Sequence, residues 1–243
     1  GFVVRPVPKL AVTVDAYMIK IKDRITATAS RNAVQGGVVQ PGAAAIFDAL
    51  AAAGIVLDTA LQTVGVQSFT NGINTRTMGI DFSASYPVAL DFGSLNLSLN
   101  ANYNKTKITN NKVGYPLFNA ASESNIEDST PDYKVVFGAL FKSGPFSLNL
   151  RETYYGKTSM LIRPGFTARD SSGAIIVPEG GFLIQDGAGG ADQLYFKGVV
   201  KAAPITDLEV SYDFTDAVTF SLGANNLFNQ KSEVPKLLKG VTV

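Results

Sequence analysis

SLNLSLNANYN, from Ser94 to Asn104, sets Leu95, Leu97, Leu99, Ala101 and Tyr103 at one parity and Ser94, Asn96, Ser98, Asn100 and Asn102 at the other. Successive side chains of a β-strand point to opposite faces, so this stretch reads as a strand with one apolar and one polar side. The period recurs in Met78/Ile80/Phe82/Ala84/Tyr86 against Gly79/Asp81/Ser83/Ser85. It recurs again in Leu208/Val210/Tyr212/Phe214 against Asp207/Glu209/Ser211/Asp213. The connections between such runs switch between very short and very long. An all-β, antiparallel sheet in which every second connection is long matches a segment of a transmembrane β-barrel.

Seven strands are expected. The first runs from about Leu10 to Asp23, with a bulge near Tyr17 to Ile19 where the apolar phase slips. The second runs from about Phe69 to Tyr86 and reaches the third, the Ser94 run, through a turn around Pro87 to Gly93. The fourth is DYKVVFGALFK, Asp132 to Lys142, joined by Ser143-Gly144-Pro145 to a fifth from Phe146 to Tyr154, where Glu152 breaks the apolar face. The sixth ends in Leu208 to Phe214, with Pro204 expected to mark a bulge or irregularity. A short turn at Thr215-Asp216 leads to the seventh, Val218 to Phe228. The long connections are an Ala-rich stretch after the first strand, a polar loop from about Thr109 to Pro131, and a Gly-rich loop from about Gly156 to Asp192.

Alternation alone does not say whether the apolar face meets lipid or a second protein layer. Two features favour lipid. The short connections all fall on one side of the sheet and the long ones on the other, as in barrels with short periplasmic turns and long extracellular loops. Aromatics also bracket the strands: Tyr86, Phe92, Phe141, Phe146, Tyr212 and Phe214 near the short turns, and Tyr103, Tyr133, Tyr154 and Phe228 further along. A separation of about eight to eleven residues, at about 3.3 Å per residue and about 40° tilt, spans roughly 20–28 Å, the height of a barrel's apolar band. The apolar faces of the second, third, fourth and sixth strands are read as free of Lys and Arg, whereas Asp81, Lys134, Asp207, Glu209 and Asp213 sit on the opposite faces. Seven is odd, and an open sheet leaves costly unpaired edges in lipid. The chain is therefore expected to be part of a larger barrel.

Composition narrows the chemistry. The 243 residues carry a net charge of +1 with no basic stripe, which argues against a nucleic-acid partner. There is no Cys and no His, so thiolate metal sites, the usual zinc ligands and Ser-His triads are all absent, and no enzyme activity is expected. No cofactor is implied. The stretch from Pro41 to Val66 is apolar, but Asp48 and Asp58 would each cost a few kcal/mol near a bilayer centre, so a short, broken helix in an exposed loop is expected. The sequence starts at Gly1 without an initiator Met or a signal-peptide pattern, and an upstream segment is expected to have been removed.

VDAYMIKIKDRI from Val14, FTNGINTRTMGIDFSASY from Phe69, NIEDSTPDYKVVFGALFKSGPFSLNLRETYYG from Asn125 and LEVSYDFTDAVTFSLGANNLFNQ from Leu208 resemble the C-terminal barrel region of TonB-dependent outer-membrane receptors. The resemblance covers essentially the whole chain. It implies a 22-stranded barrel closed by an N-terminal plug, a Gram-negative outer-membrane location, and uptake of a scarce siderophore, vitamin or glycan energised by the TonB complex. On that reading residues 1–243 are roughly the fifteenth to twenty-first strands, in contact with outer-membrane lipid and completed by the remainder of the barrel and the plug. The family finishes on one more strand with an aromatic end, whereas here the sequence stops at Gly240-Val241-Thr242-Val243, so the plug and final strand are expected to be missing.

Candidate ligand contacts are loop aromatics and arginines: Tyr115 and Phe118 in one long loop, and Arg163, Phe166, Arg169 and Phe182 in the next. Aromatic faces stack on planar or sugar groups, and guanidinium pairs with carboxylate or phosphate. Ordinary loop packing is the competing reading. Asp207, Glu209 and Asp213 share a strand face where they either bind a cation or stand solvated in the lumen. GAGGAD, Gly187 to Asp192, lacks the Lys-Ser/Thr of a phosphate loop and reads as flexible. Asn225-Asn226 is expected at a bulge or an upper strand end. A passive outer-membrane channel and a soluble β binding module are the alternatives to a transport receptor.

Overall fold

Period-two alternation builds one antiparallel meander. The computed structural model describes residues 1–28, 31–35, 38–39, 44–55, 63–114, 118–164, 167–185 and 192–232. In chain order its elements are β1 (Phe2–Val4), β2 (Ala11–Ala27), β3 (Arg31–Gln35), β4 (Val38–Val39), α1 (Ala44–Ala52), β5 (Thr63–Val66), β6 (Phe69–Leu90) and β7 (Gly93–Asn111). They continue with α2 (Ala120–Glu127), β8 (Tyr133–Ser143), β9 (Phe146–Tyr155), β10 (Thr158–Ile162), β11 (Gly181–Gln185), β12 (Asp192–Val200), β13 (Ala203–Thr215) and β14 (Val218–Ala224). The main sheet has eight strands in the order β1-β2-β6-β7-β8-β9-β13-β14. The seven expected strands are all in it, and β1 is an addition, pairing Phe2 with Val14 and Val4 with Val12. Within this sheet each strand lies beside its successor, so short turns and long excursions leave from opposite ends.

Registers put like parity beside like. Ala84, Leu99 and Phe137 form one cross-strand row, as do Val14, Phe82 and Ala101. The apolar parity stays open: Phe137 is 38% exposed, Val210 36% and Leu222 69%. A soluble sandwich would lay a second sheet on this face; among the described residues no layer covers it. The aromatics group at both levels. Phe141 lies 6.0 Å from Phe92 and 6.4 Å from Phe146 near the short turns, and Tyr133 stacks on Tyr154 at 6.1 Å near the other end.

The polar parity is tied across strands by side-chain hydrogen bonds. Ser83 donates to Asn100, and Asn102 Nδ2 donates to Asp81 at 2.5 Å. Thr77 and Thr106 share a bond at 2.7 Å, and Ser211 meets Ser221 at 2.9 Å. Tyr17 lies across Gly79, where any Cβ would collide with its ring, and its hydroxyl accepts from Asn102 at 3.4 Å. Glycine at 79 is thus a position of close approach.

Several local expectations are corrected. The first strand runs through Tyr17 to Ile19 without a register shift; its irregularities lie between Ile21 and Arg24 and between Arg24 and Ile25. Asp23 takes a positive φ of 54° there, and its N–H donates to Asn74 Oδ1 at 2.9 Å. The slip near Tyr17 is a change in which parity is apolar, not a backbone bulge. β6 continues past Pro87 to Leu90, leaving Asp91 and Phe92 as the turn. Pro204 sits in register opposite Tyr154 with no shift. It interrupts no ladder on its other side, because β14 pairs only from Leu208 onward. The last strand ends at Ala224, so Phe228, 74% exposed, lies beyond it. Asn226 at φ 51° and Asn229 at φ 50° turn the chain there, in accord with an upper strand end at Asn225-Asn226.

The long connections are built rather than plain loops. Between Tyr155↔Ala203 and Thr158↔Val200 both strands advance three residues, so the β10/β12 ladder continues the β9/β13 ladder in register. β11 adds a third strand, giving the order β10-β12-β11. β3, β4 and β5 likewise extend the β2/β6 hairpin, bridged by Thr28 N–H to Ser68 O at 2.8 Å. The short helix expected in the Ala-rich stretch is α1, followed two residues after its end by Gly54 with φ 78°, a left-handed glycine of the kind that commonly closes helix C-termini. Among the described residues no helix is long and apolar enough to cross a membrane. Among the described residues the buried apolar side chains are Val34, Ile73, Phe118, Leu194 and Tyr195, all toward the long-loop end.

Candidate ligand-facing loop layer

β7 outruns β8. The ladder between them closes with Asn104 N–H to Asp132 O, just before β8, at 2.7 Å, and above it the edge of β7 faces no strand among the described residues. An unpaired edge leaves polar groups that must find partners. Helix α2 and the residues that follow it supply them. Glu127 Oε1 accepts from the Ile108 N–H at 2.7 Å, and Asp128 and Asp132 each take a bond from Lys105 Nζ at 3.0 Å. Lys107 Nζ reaches Glu127 Oε2 at 2.5 Å. On the other side of α2, Ser124 Oγ accepts from Leu161 N–H at 3.0 Å and Asp128 O from Ser159 N–H at 2.9 Å. The helix fills the gap in the wall above β8, between β7 and β10.

Local sequence explains why a helix forms there. Asn119 caps it, accepting from Ser122 N–H at 3.1 Å, the usual use of a short polar side chain at a helix start. Phe118, 2% exposed, is buried just before the cap, and its carbonyl accepts from Asn111 Nδ2 at 3.3 Å. Within the polar loop expected from about Thr109 to Pro131, residues 109–111 therefore belong to β7 and residues 120–127 to α2. A cap residue followed by Ser and Glu was the available signal, and the helix has no apolar stripe to strengthen it.

Four of the six candidate contacts, Phe118, Arg163, Arg169 and Phe182, are among the described residues. Tyr115 and Phe166 lie outside the described residues. Phe118 faces inward, as above. Arg163, exposed, donates to Gln193 Oε1 at 2.6 Å, which ties it to β12. Phe182, 36% exposed, lies on β11 opposite Tyr195, itself fully buried. Arg169 opens a tight hairpin that returns at Ile175, and it donates to Gly173 O at 2.7 Å. Asp170 organises that hairpin: its Oδ1 accepts from Ser172 Oγ at 2.6 Å, Ser172 N–H at 2.8 Å and Ala174 N–H at 3.0 Å. These bonds, the Ser172 hydroxyl first, favour the charged carboxylate and hold Asp170 below the ordinary Asp value. Among the described residues Arg163, Arg169 and Phe182 are thus the exposed members of the set, all on the excursion between β9 and β13.

Of the three carboxylates on β13, Asp207 and Asp213 are engaged by protein donors, whereas Glu209 has no hydrogen-bond or ion-pair partner among the described residues. Asp207 Oδ2 accepts from Arg151 at 2.7 Å, while its Oδ1 accepts from the Asn226 N–H at 2.8 Å and so anchors the turn after β14. Asp213 accepts from Thr219 Oγ1 at 2.6 Å. On the same polar parity Lys134 Nζ stands 5.1 Å from the Tyr155 ring centroid. Of GAGGAD, Asp192 alone is among the described residues.

Comparison with known proteins agrees with this geometry. The family model described as TonB dependent receptor-like, beta-barrel, matches residues 1–227. The outer membrane transporter YddB from Escherichia coli shares the fold at a TM-score of 0.59 and 13% identity, over 95% of this chain and 28% of that one. The ferripyoverdine receptor of the outer membrane of Pseudomonas aeruginosa, bound to ferripyoverdine, aligns at a TM-score of 0.47 and 12% identity, over 92% of this chain and 22% of that one. FpvAI in its complex with pyocin S2 aligns at 0.44 and 12%, over 92% and 21%. The chain thus spans about a quarter of the length of these solved structures. No curated protein matches it. A family match over nearly the whole sequence, on a meander with alternating short and long connections, establishes that the chain belongs to the TonB-dependent receptor β-barrel family.

Proposed function

We propose that this chain forms part of the wall and outer loops of a Gram-negative outer-membrane receptor that takes up a scarce nutrient of the siderophore, vitamin or glycan class, energised through the TonB complex. The single observation that carries this reading is the family match over residues 1–227. On this proposal residues 1–243 are the C-terminal portion of the barrel, completed by a plug, a final strand and the remaining wall to 22 strands. Lipid covers the apolar parity. The polar parity, with the Arg151–Asp207 pair and Lys134, faces the bore and whatever fills it. The chain supplies recognition and a scaffold, with no catalytic role.

The extracellular surface is the layer built on β10, β11, β12 and α2. There Arg163, Arg169 and Phe182 are exposed; Phe118, which is buried, and Tyr115 and Phe166, outside the described residues, are the other members of the proposed set. Rigid support makes such a surface useful, since each residue ordered in advance lowers the entropic cost of binding. In a full-length receptor carrying this chain, replacing Arg163 and Arg169 together with Ala should weaken uptake of a radiolabelled nutrient about tenfold or more, as expected for losing charge-assisted hydrogen bonds. Unchanged uptake would remove these arginines from the site. Uptake that persists without TonB would instead support a passive channel.

A further inference from the structure

The apolar parity is not free of cations along its whole length. Lys20 pairs in register with Arg76, and Arg76 with Lys107, so three cations form one row across β2, β6 and β7. The row shares its parity with Met18, Met78, Ile80 and Tyr103. It lies four residues beyond the row Ala16, Ile80, Tyr103 toward the long-loop end, about 10 Å at about 3.3 Å per residue and about 40° tilt. Like charges opposite one another on neighbouring strands destabilise a sheet. Lys107 is compensated by Glu127, and nearby Lys105 by Asp128 and Asp132. Asp23 is taken by Lys112. Among the described residues Lys20, Lys22 and Arg76 have no carboxylate partner, and all three are exposed.

We propose that Lys20 and Arg76, with Lys22 beside them, bind the phosphate groups of outer-leaflet lipid headgroups. This rests on the reading of the apolar parity as the lipid face. Aromatic girdles sit at headgroup level, and a cationic row just beyond one stands where lipid phosphates lie. The planar fork of Arg76 takes two phosphate oxygens at once, and the flexible ammonium of Lys20 adds a point charge from the next strand, about 4.8 Å away. The lipid anion supplies the neutralisation that the fold itself leaves undone.

The test uses the full-length receptor in phosphatidylcholine nanodiscs, titrated with a bisphosphorylated glycolipid or with its dephosphorylated form, and retained lipid is counted by native mass spectrometry. The wild type should retain the phosphorylated form preferentially. The double variant K20A/R76A should lose about 30-fold in apparent affinity, near fivefold per cation at an anionic surface. K142A, at the short-turn end, should lose nothing. Equal retention of both lipid forms by the wild type overturns the proposal, whether or not the variant folds. So does unchanged retention by a folded double variant, or full displacement of the lipid by millimolar inorganic phosphate. A receptor that does not enter nanodiscs at all would defeat the membrane reading instead, which separates the two failures.

Discussion

Leu99 stands midway up the apolar face. It is four residues from Leu95, whose partner is Phe141 of the lower aromatic level, and four from Tyr103, which pairs with Tyr133 of the upper one. Each interval is about 10 Å at about 3.3 Å per residue and about 40° tilt, so Leu99 lies near the middle of a band about 20–25 Å tall. If lipid wets this face, Leu99→Arg costs about 2–4 kcal/mol, a shift of roughly 30- to 1000-fold in the folding equilibrium. The same change at Leu95 or Tyr103, near the interfaces, costs about 0–1 kcal/mol. Asn100→Arg, on the polar parity, should be close to neutral. Leu99 is 37% exposed within the chain itself, so if water bathed this face Leu99→Arg would stay within about 0.5 kcal/mol. Urea titration of the assembled barrel in vesicles, read by gel mobility without heating, measures the profile. A flat profile from Leu95 to Tyr103, or a larger cost at Asn100 than at Leu99, refutes the reasoning.

Two further perturbations probe the loop layer. Asn119→Ala removes the cap of α2 and should cost about 1 kcal/mol locally, raising hydrogen exchange at the Ser122 amide about fivefold; unchanged exchange would show that the cap contributes nothing. Because Asp170 ionises below the ordinary Asp value, the stability it lends its hairpin is complete above about pH 4 and is lost as pH falls through its lowered value. Limited proteolysis between Arg169 and Ile175 should therefore increase under an acid-tolerant protease, and Asp170→Asn should show the increase at neutral pH. Equal cleavage across the pH series would contradict this.

What could be read from the sequence was the wall, and physics explains why. A strand that is apolar on one side repeats its signal every second residue, so Leu95 to Tyr103 and Leu208 to Phe214 are each redundant statements of one orientation. Local irregularities carry no such redundancy. Ile19 and Ile21 obscured the parity of β2, and the positive φ of Asp23, where the register shifts, looks like any charged residue among Lys22 and Arg24. The loop layer was least legible. Thr158–Ile162, Gly181–Gln185 and Asp192–Val200 are too short to show a convincing period alone, and they are fixed by continuing a ladder begun elsewhere. Phe118 reads as a binding aromatic in sequence, yet its burial follows from α2, whose mean hydropathy hides it. The cationic row required register, because Lys20, Arg76 and Lys107 are far apart along the chain and meet only through strand pairing.

Since the sequence has no Cys, single cysteines carrying spin labels at each position from Leu95 to Tyr103 give a direct reading of what touches each face in the assembled barrel. Accessibility to oxygen, which concentrates in lipid, should peak at Leu95, Leu97, Leu99, Ala101 and Tyr103. Accessibility to a water-soluble nickel chelate should peak at Asn96, Ser98, Asn100 and Asn102. Odd positions shielded from both reagents, or reached by the chelate as freely as the even ones, would contradict a wall with lipid on one side and water on the other.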